Sequence, residues 1–275
     1  MASVLQLHTR NISNQTPCAG MQNFFEIPEK TNVIVVGSGP NGLAAAITMA
    51  QAGYTPLVIE AADTPGGAVR SSSYTIPGFT HDVCSAVFPM AKGSAFFQRL
   101  DLAQYGLSWI EPPAALAHPF DNGTAALLFR SIDSTADTLS LKDSDAYKRL
   151  MKPLAEHWEN LFDEILAPPH FPLHLLTLAR FGIPAMLPAQ TLARGLFRDY
   201  RAQGLFAGIA AHSFLPLSHA FSSTFALVLG VLGHVVGWPI PSGGSQFFTD
   251  ALVKYLASRR KLLHMKRVDS IIPIW

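Results

Sequence analysis

Residues 33–60 read VIVVGSGPNGLAAAITMAQAGYTPLVIE and decide the fold of this chain. Their first four residues, Val33 to Val36, are all β-branched, and such an apolar run predicts a strand buried on both faces. A helix is predicted from Leu43 to about Ala52, because apolar residues and alanines continue without a breaker. A second strand from Thr55 to Ile59 then delivers Glu60 at its end. The order of strand, helix and strand predicts an α/β fold with a parallel sheet.

The turn between the first strand and the helix carries a G-x-G-x-x-G motif. Gly37 lets the chain leave the strand sharply, Gly39 lets a pyrophosphate approach the backbone, and Gly42 lets helix and strand pack closely. The helix start, at Pro40 and Asn41, would then turn its free N–H groups and its positive dipole end towards the phosphates. A tight turn without a ligand is the alternative. The flanking strand and helix favour a dinucleotide site.

Glu60 lies 23 residues after Gly37, at the end of the second predicted strand. This is the position where an acidic residue accepts hydrogen bonds from ribose hydroxyls in dinucleotide-binding folds. Its negative charge would repel a 2′-phosphate. Glu60 is therefore predicted to bind the adenosine ribose.

The next ten residues, 61–70, read AADTPGGAVR, with a Gly-Gly pair and an arginine three residues later. They resemble the flavin-binding extension of the large FAD oxidoreductase group that includes amine oxidases and phytoene desaturases. In that group the second glycine and the arginine lie along the FAD pyrophosphate and ribityl chain. The resemblance implies these roles for Gly67 and Arg70, and it implies further FAD contacts at Ala61, Gly66 and Ala68.

Three later segments extend the resemblance towards the phytoene desaturase and carotenoid isomerase branch. Residues 78–82, GFTHD, resemble a G-F-x-x-D segment that leads towards the isoalloxazine ring. Residues 238–245, WPIPSGGS, resemble a P-x-G-G segment that returns the chain to the flavin domain and begins a helix. Residues 261–271 resemble the following strand, in which Val268 would offer its backbone to the adenine.

The resemblance implies a Rossmann-type FAD-binding domain with an inserted, largely helical and incomplete substrate domain. The predicted parts are a loose leader over 1–30, the first part of the FAD-binding domain over 31–105, a partial substrate domain over 106–237 and a return to the FAD-binding domain over 238–275. The resemblance covers only the N-terminal half of a typical member, so a truncated member of the group is expected.

Composition excludes several other classes of protein. A net charge of +1 with no basic stripe gives no surface for nucleic acid. Cys18 and Cys84 belong to no C-x-x-C pair, which argues against a dithiol reductase and a zinc site, and no metal is expected. Two cysteines in 275 residues suit a reducing, cytoplasmic compartment.

Residues 202–249 contain no Asp, Glu, Lys or Arg. Their densest part, 220–240, is long enough to span a bilayer. Its histidines, its glycines and prolines and the absence of a flanking positive cluster favour instead a buried helix beside an apolar substrate tunnel. Peripheral attachment to a membrane is a further expectation.

The predicted function is that of an FAD-dependent flavoprotein oxidoreductase, similar to desaturases, dehydrogenases or isomerases. The resemblance implies a small apolar substrate of isoprenoid or polyene type. Two alternatives stay open: an inactive flavoprotein fragment or interaction partner, and an NAD-dependent dehydrogenase, against which Gly67 and Arg70 argue. No catalytic residue and no oligomeric state is assigned. The candidates for proton transfer, each of which has a structural alternative, are His81, Asp82, His212, His219 and His234.

Overall fold

The computed structural model of the chain describes residues 4–10, 31–168, 170–259, 262–265 and 267–274. The first and the last two of these ranges are strands. The strands are β1 (Val4–Arg10), β2 (Val33–Val36), β3 (Pro56–Glu60), β4 (Ser71–Ser72), β5 (His81–Asp82), β6 (Trp109–Ile110), β7 (Ala114–Pro119), β8 (Ala125–Phe129), β9 (Ile240–Pro241), β10 (Leu262–Met265) and β11 (Arg267–Ile274).

Helices occupy most of the middle of the chain. They are α1 (Pro40–Gln51), α2 (Pro89–Gly93), α3 (Ala95–Gln98), α4 (Ile132–Ala136), α5 (Leu141–Glu156), α6 (Trp158–Ile165), α7 (Leu175–Ala185), α8 (Ala189–Leu196), α9 (Tyr200–Ala210), α10 (Ser222–Val235) and α11 (Gln246–Ser258), with 3₁₀ turns at Leu102–Tyr105 and Ala211–Ser213.

The contacts of the chain divide it into two units. The first unit falls within Met1–Val87, Ala95–Ile110 and Ile240–Trp275, and the second is Phe88–Ser94 with Glu111–Pro239. These units are defined by contacts. The limits of the FAD-binding and substrate domains, after residue 105 and before residue 238, stay predictions. Each unit is described by itself.

The first unit is built on a three-stranded parallel sheet with the order β10-β3-β2. Helix α1 connects β2 to β3, whose register pairs Ile34 with Leu57. Strand β10 lies on the other side of β3 and pairs Leu263 with Val58. This is the strand order of half of a Rossmann sheet. The predicted α/β fold is confirmed.

Burial differs between the two strands that flank α1. In β3 every residue from Pro56 to Ile59 is buried. In β2 the first three residues are half-buried and Val36 is 55% exposed. The expectation that β2 is buried on both faces is therefore wrong, because among the described strands β2 pairs only with β3 and lies at an edge of the sheet.

Residues 73–76, SYTI, predict a short strand that ends at the Pro77-Gly78 turn, but the strand lies instead at β4, directly after Arg70. Ser71 pairs with Asp82 in β5, and the Ser71 hydroxyl donates to Asp82 Oδ1 at 2.8 Å. The chain reverses between the two strands at Gly78, which has a φ of +91°. This side-chain bond fixes the position of the hairpin at Ser71. The hydrophobic pattern of residues 73–76 does not indicate such a bond.

Residues 94–102, SAFFQRLDL, predict one helix with Phe96, Phe97 and Leu100 on one side, but the helix that forms is shorter. Only α3 forms there, and a 3₁₀ turn follows from Leu102. Asp101 separates the two with a φ of +46°, a left-handed conformation that no α-helix accommodates.

Part of the expected loose leader is ordered as a strand. Strand β1 pairs antiparallel with β11, with Val4 opposite Ile274. The single strand expected over 261–271 is thus divided between β10, which joins the parallel sheet, and β11, which pairs with β1.

The second unit begins with a β-hairpin and continues with helices. The sequence Asp121-Asn122-Gly123 between two extended segments predicts a hairpin turn. The hairpin of β7 and β8 turns there, with Gly123 at a φ of +79°. Apolar residues at helical spacing after Ser144 predict an amphipathic helix with Ser144 as its N-cap. The helix begins earlier, because the Ser140 hydroxyl accepts a hydrogen bond from the Asp143 N–H at 3.4 Å. Pro153 lies inside α5, near its end.

The uncharged tract contains the buried helix that was predicted for it. In α10, Ala226, Leu227, Val231 and Leu232 are 0% exposed and belong to the apolar core of the second unit. No helix in the described part of the chain combines the length and the apolar character needed to cross a membrane.

His234, at the end of α10, is a hydrogen-bonded core residue. Its Nδ1 lies 3.3 Å from the Arg130 carbonyl oxygen, which only accepts, so Nδ1 carries the proton. Its Nε2 lies 2.7 Å from the hydroxyl of buried Tyr147, which donates to it. His212 and His219 are exposed. A structural role in the core therefore accounts for His234 without a role in proton transfer.

We predict a pH-dependent stability from His234. Burial lowers its pKa to about 4, although the bonds to the carbonyls of Arg130 and Phe129 act in the opposite direction. The unfolded chain binds this proton near pH 6.5, so between the two values it holds more protons than the folded chain. The free energy of unfolding should therefore fall by about 2 kcal/mol from pH 7 to pH 5 through this residue.

Urea unfolding of the wild type and of His234→Gln at both pH values measures this contribution. The variant should lose less stability than the wild type over the same interval. Equal losses in the two proteins would show that His234 is accessible to protons in the folded state.

Candidate dinucleotide site

The glycine turn has the geometry that the motif predicts. Gly37 has a φ of +98°, and its N–H donates to the Ile59 carbonyl oxygen at 2.7 Å. A Cβ on Gly42 would lie 2.1 Å from the Gly37 carbonyl oxygen. A side chain at Gly42 would therefore force α1 away from the turn, so glycine is required there by packing.

Gly39 presents bare backbone. A Cβ built on it would meet no described atom within 4 Å, so the space beside it is open. Gly67, at a φ of +57°, packs against it, and a Cβ there would lie 3.2 Å from the Gly39 Cα. The Gly-Gly extension is thus in contact with the glycine turn. The two predicted phosphate-binding loops therefore meet at Gly39 and Gly67.

The N-terminus of α1 lies at this contact. Gly39 is its N-cap residue and Pro40 its first residue, and no described side chain caps the helix or places an acid in its first turn. The Leu43 N–H is already bonded to the Gly39 carbonyl at 2.9 Å. The N–H groups of Asn41 and Gly42 come before this bond and have no acceptor within the helix. The N-terminal end of α1 therefore favours an anion.

Glu60 is held in place by three hydrogen bonds. Its Oε2 accepts from the Ser38 N–H at 2.7 Å and from the Ser38 hydroxyl at 2.6 Å, and its Oε1 accepts from the Ala62 N–H at 2.8 Å. A carboxylate offers about four acceptor sites. A ribose hydroxyl would be a further donor to this carboxylate.

These bonds also set the charge of Glu60. Burial acts to raise the pKa of its carboxyl group, but the hydrogen bonds from Ser38 and from the backbone of Ala62 outweigh burial, so the pKa lies below its ordinary value. Glu60 is ionised at neutral pH. It is therefore a strong acceptor for hydroxyl groups and an unfavourable neighbour for a phosphate.

Ser38 is the functional residue that sequence reasoning missed. It is 0% exposed, and besides binding Glu60 it accepts the Gly66 N–H at its carbonyl oxygen (3.1 Å) and at its hydroxyl (3.3 Å). Ser38 thus connects the glycine turn, Glu60 and the Gly-Gly extension. The available signal was a small hydroxyl residue between the first two glycines of the motif.

The predicted FAD-binding residues of the extension, residues 61–70, differ in their exposure. Gly66 is buried at a φ of +128°, and a Cβ there would lie 2.4 Å from the Val69 carbonyl oxygen, so its role is to form the turn. Ala61, Gly67 and Ala68 are exposed. Arg70 donates from Nε to the Gly67 carbonyl at 2.6 Å, which fixes the side chain and leaves the terminal N–H groups of the guanidinium as further donors.

The remaining candidates lie elsewhere. Val268 is in β11 opposite Thr9, and the contact of its backbone with the adenine stays a prediction. His81 Nε2 lies 2.7 Å from the Thr75 hydroxyl. Asp82 accepts hydrogen bonds from Ser71 and from the Ser245 N–H, at the start of α11.

We predict that Ser38→Ala weakens the binding of ADP about tenfold, the effect of one charge-assisted hydrogen bond. The substitution removes the 2.6 Å bond that orients Glu60. Isothermal titration with ADP measures the change.

Ser223→Ala is the matched control, because Ser223 is 0% exposed and its hydroxyl has no hydrogen-bond partner among the described residues. This variant should bind ADP like the wild type. Unchanged or tighter binding by Ser38→Ala would show that Ser38 does not orient Glu60 for the ligand.

Comparison with known proteins agrees with this geometry. Residues 35–100 match a family described as an NAD(P)-binding Rossmann-like domain. A hydroxyneurosporene desaturase of Rhodobacter capsulatus is 28% identical over 196 residues, which cover 66% of this chain and 39% of that protein. One component chain of the limonene dehydrogenase of Castellaniella defragrans is 24% identical over 143 residues, which cover 51% of this chain and 25% of that protein.

Solved structures show the same fold. Putrescine oxidase bound to putrescine superimposes with a TM-score of 0.54 at 23% identity, over 85% of this chain and 50% of that one. The chain thus spans about two fifths of the desaturase, at 39%, and half of the oxidase, at 50%. The names of these three proteins are those of oxidoreductases. The resemblance predicted from the sequence is confirmed: over part of their length, the chain is similar to the phytoene desaturase-like FAD-dependent oxidoreductases.

Proposed function

We propose that this chain is the FAD-binding part of an oxidoreductase that acts on an apolar substrate of isoprenoid or polyene type. The contact between Gly67 and Gly39 carries the proposal, because it adds the flavin extension to the phosphate-binding turn. Bound FAD would supply two-electron oxidation of the substrate. The chain's own residues would hold the cofactor.

Each part of the site has a stated task in this proposal. The bare backbone at Gly39 and the N-terminus of α1 bind the pyrophosphate. Ionised Glu60, oriented by Ser38, accepts hydrogen bonds from the adenosine ribose. Arg70 binds the pyrophosphate and the ribityl chain, with its stem fixed on the Gly67 carbonyl. NAD shares the ADP portion of FAD but has no ribityl chain, so Arg70 favours FAD over NAD.

The substrate class rests on the relatives and on composition. Two of the similar proteins are named for hydroxyneurosporene and limonene, which are isoprenoids. No charged residue occurs between 202 and 249, and the core of the second unit is apolar. We propose the second unit as the part that contacts substrate. Cytoplasmic localisation and peripheral membrane attachment stay predictions from the sequence.

A second candidate is a flavin-binding chain without turnover of its own. This alternative stays open beside the first, and the chain spans 39% of the desaturase and 25% of the dehydrogenase component. Turnover of an isoprenoid hydrocarbon with an artificial electron acceptor separates the two candidates. FAD binding with turnover supports the first, and FAD binding without it supports the second.

We predict that Arg70→Ala weakens FAD binding roughly ten- to a hundredfold, since it removes charge-assisted hydrogen bonds to phosphate. Arg70→Lys should recover only part of this loss, because an ammonium group cannot reproduce the planar fork of a guanidinium. Quenching of flavin fluorescence during titration measures the three dissociation constants.

Arg259→Ala is a control in the same unit, since Arg259 packs over the Tyr255 ring at 5.1 Å and donates to its hydroxyl. This variant should bind FAD normally. Equal affinity of the wild type, Arg70→Lys and Arg70→Ala would place Arg70 in solvent and remove the main argument for FAD over NAD.

A further inference from the structure

The start of helix α11 is capped by a carboxylate from another part of the chain. Its own N-cap residue, Ser245, makes no side-chain cap. Instead the Ser245 N–H donates to Asp82 Oδ1 at 2.7 Å, and the Gln246 N–H donates to the Ser71 hydroxyl at 3.0 Å. That hydroxyl donates in turn to Asp82 Oδ1 at 2.8 Å. A negative group at a helix N-terminus stabilises the helix.

Gly244 makes this approach sterically feasible. A Cβ on Gly244 would lie 2.6 Å from the Ser71 hydroxyl oxygen and 3.2 Å from Asp82 Oδ1. Its φ of +109° is a conformation that side chains rarely adopt. The glycine of the P-x-G-G segment and the aspartate of the G-F-x-x-D segment are therefore two halves of one contact.

The same helix also holds the loop that carries Gly67 and Arg70. The Thr249 hydroxyl donates to the Val69 carbonyl at 2.8 Å, and the Gln246 side-chain amide donates to the Pro65 carbonyl at 3.4 Å. Thr249 is 0% exposed. A Cβ on Gly66 would lie 2.9 Å from the Thr249 hydroxyl, so helix and loop are in close contact.

Through these contacts α11 holds the loop of residues 65–71, which carries Gly67 and Arg70. Residues 65–71 are bonded to α11 at Pro65, at Val69 and at Ser71, and on their other side they are bonded to Ser38 through the Gly66 N–H. Asp82 fixes the first turn of the helix from which these bonds are made. A change at Asp82 would therefore reach Arg70 through the helix.

We propose that Asp82 is a positioning residue of the dinucleotide site, which holds α11 and, through it, the loop of Gly67 and Arg70. This inference rests on the proposed function only for the identity of the ligand. The two candidate roles of Asp82 are thus separated: its carboxylate is engaged by Ser71 and Ser245, which supports positioning rather than proton transfer.

The affinity for FAD of Asp82→Ala and Asp82→Asn tests the proposal. Asp82→Ala should bind FAD about tenfold more weakly, the effect of one charge-assisted bond. Asp82→Asn keeps an acceptor oxygen and should recover part of the affinity. If Asp82 acts through Arg70, the two substitutions should not act independently. The double variant Asp82→Ala with Arg70→Ala should then lose less FAD affinity than the product of the fold-losses of the two single variants.

A matched control comes from Asp143, which is 1% exposed and accepts the N–H groups of Arg198 at 2.9 Å and Asp199 at 2.7 Å in the second unit. Asp143→Asn should lower stability and leave the FAD affinity unchanged. A merely structural role of Asp82 would give this same pattern, and so would overturn the proposal. Multiplicative losses in the double variant would also overturn it.

Hydrogen exchange gives a readout that needs no FAD. In Asp82→Ala the N–H groups of Gly66 and Val69, which donate to Ser38 and Gly66, should exchange faster than in the wild type, while those of α1 should not. If the wild type fails to bind FAD, the proposed function falls, and the exchange rates still decide the role of Asp82. Unchanged exchange at Gly66 and Val69 would overturn it.

Discussion

The bond between Glu60 and Ser38 is the interaction on which the first unit's site depends. Ser38 is buried between the two glycines of the turn, and it binds the Glu60 carboxylate through both its N–H and its hydroxyl. Its carbonyl and hydroxyl accept the Gly66 N–H. One small residue therefore sets the distance between the turn, the acidic strand end and the extension. A larger residue at Ser38 would displace all three.

Close approach of backbone to backbone is the second constraint. Gly42 is required because the Gly37 carbonyl oxygen lies where its Cβ would be, and Gly67 lies against Gly39. Such contacts cannot tolerate side chains, so the sequence in these loops has little freedom. Helix α11 supports them from behind through Thr249 and Gln246. The result is a surface of backbone N–H groups and bare glycines with one ionised acceptor at its edge, which suits a dinucleotide.

Local signals could be predicted from the sequence, and long-range partners could not. The turn glycines, α1 and the strand ending at Glu60 follow from residues adjacent in the chain. The partners of Ser38 and Asp82 lie 22 and 163 residues away, so no periodicity reports them. The strand at Ser71 was misplaced for the same reason, since its register is set by Asp82. The exposure of Val36 depends on which strands pair with β2, which a β-branched run does not reveal.

Calorimetric titration of the purified chain with ADP, FAD and riboflavin tests the central claim most directly. The residues that carry the site, Gly39, Glu60 and Arg70, serve the adenosine and pyrophosphate end of the cofactor. ADP and FAD should therefore both bind, and riboflavin, which lacks that end, should bind far more weakly. Binding of riboflavin as tight as that of FAD, with no binding of ADP, would contradict this account of the site.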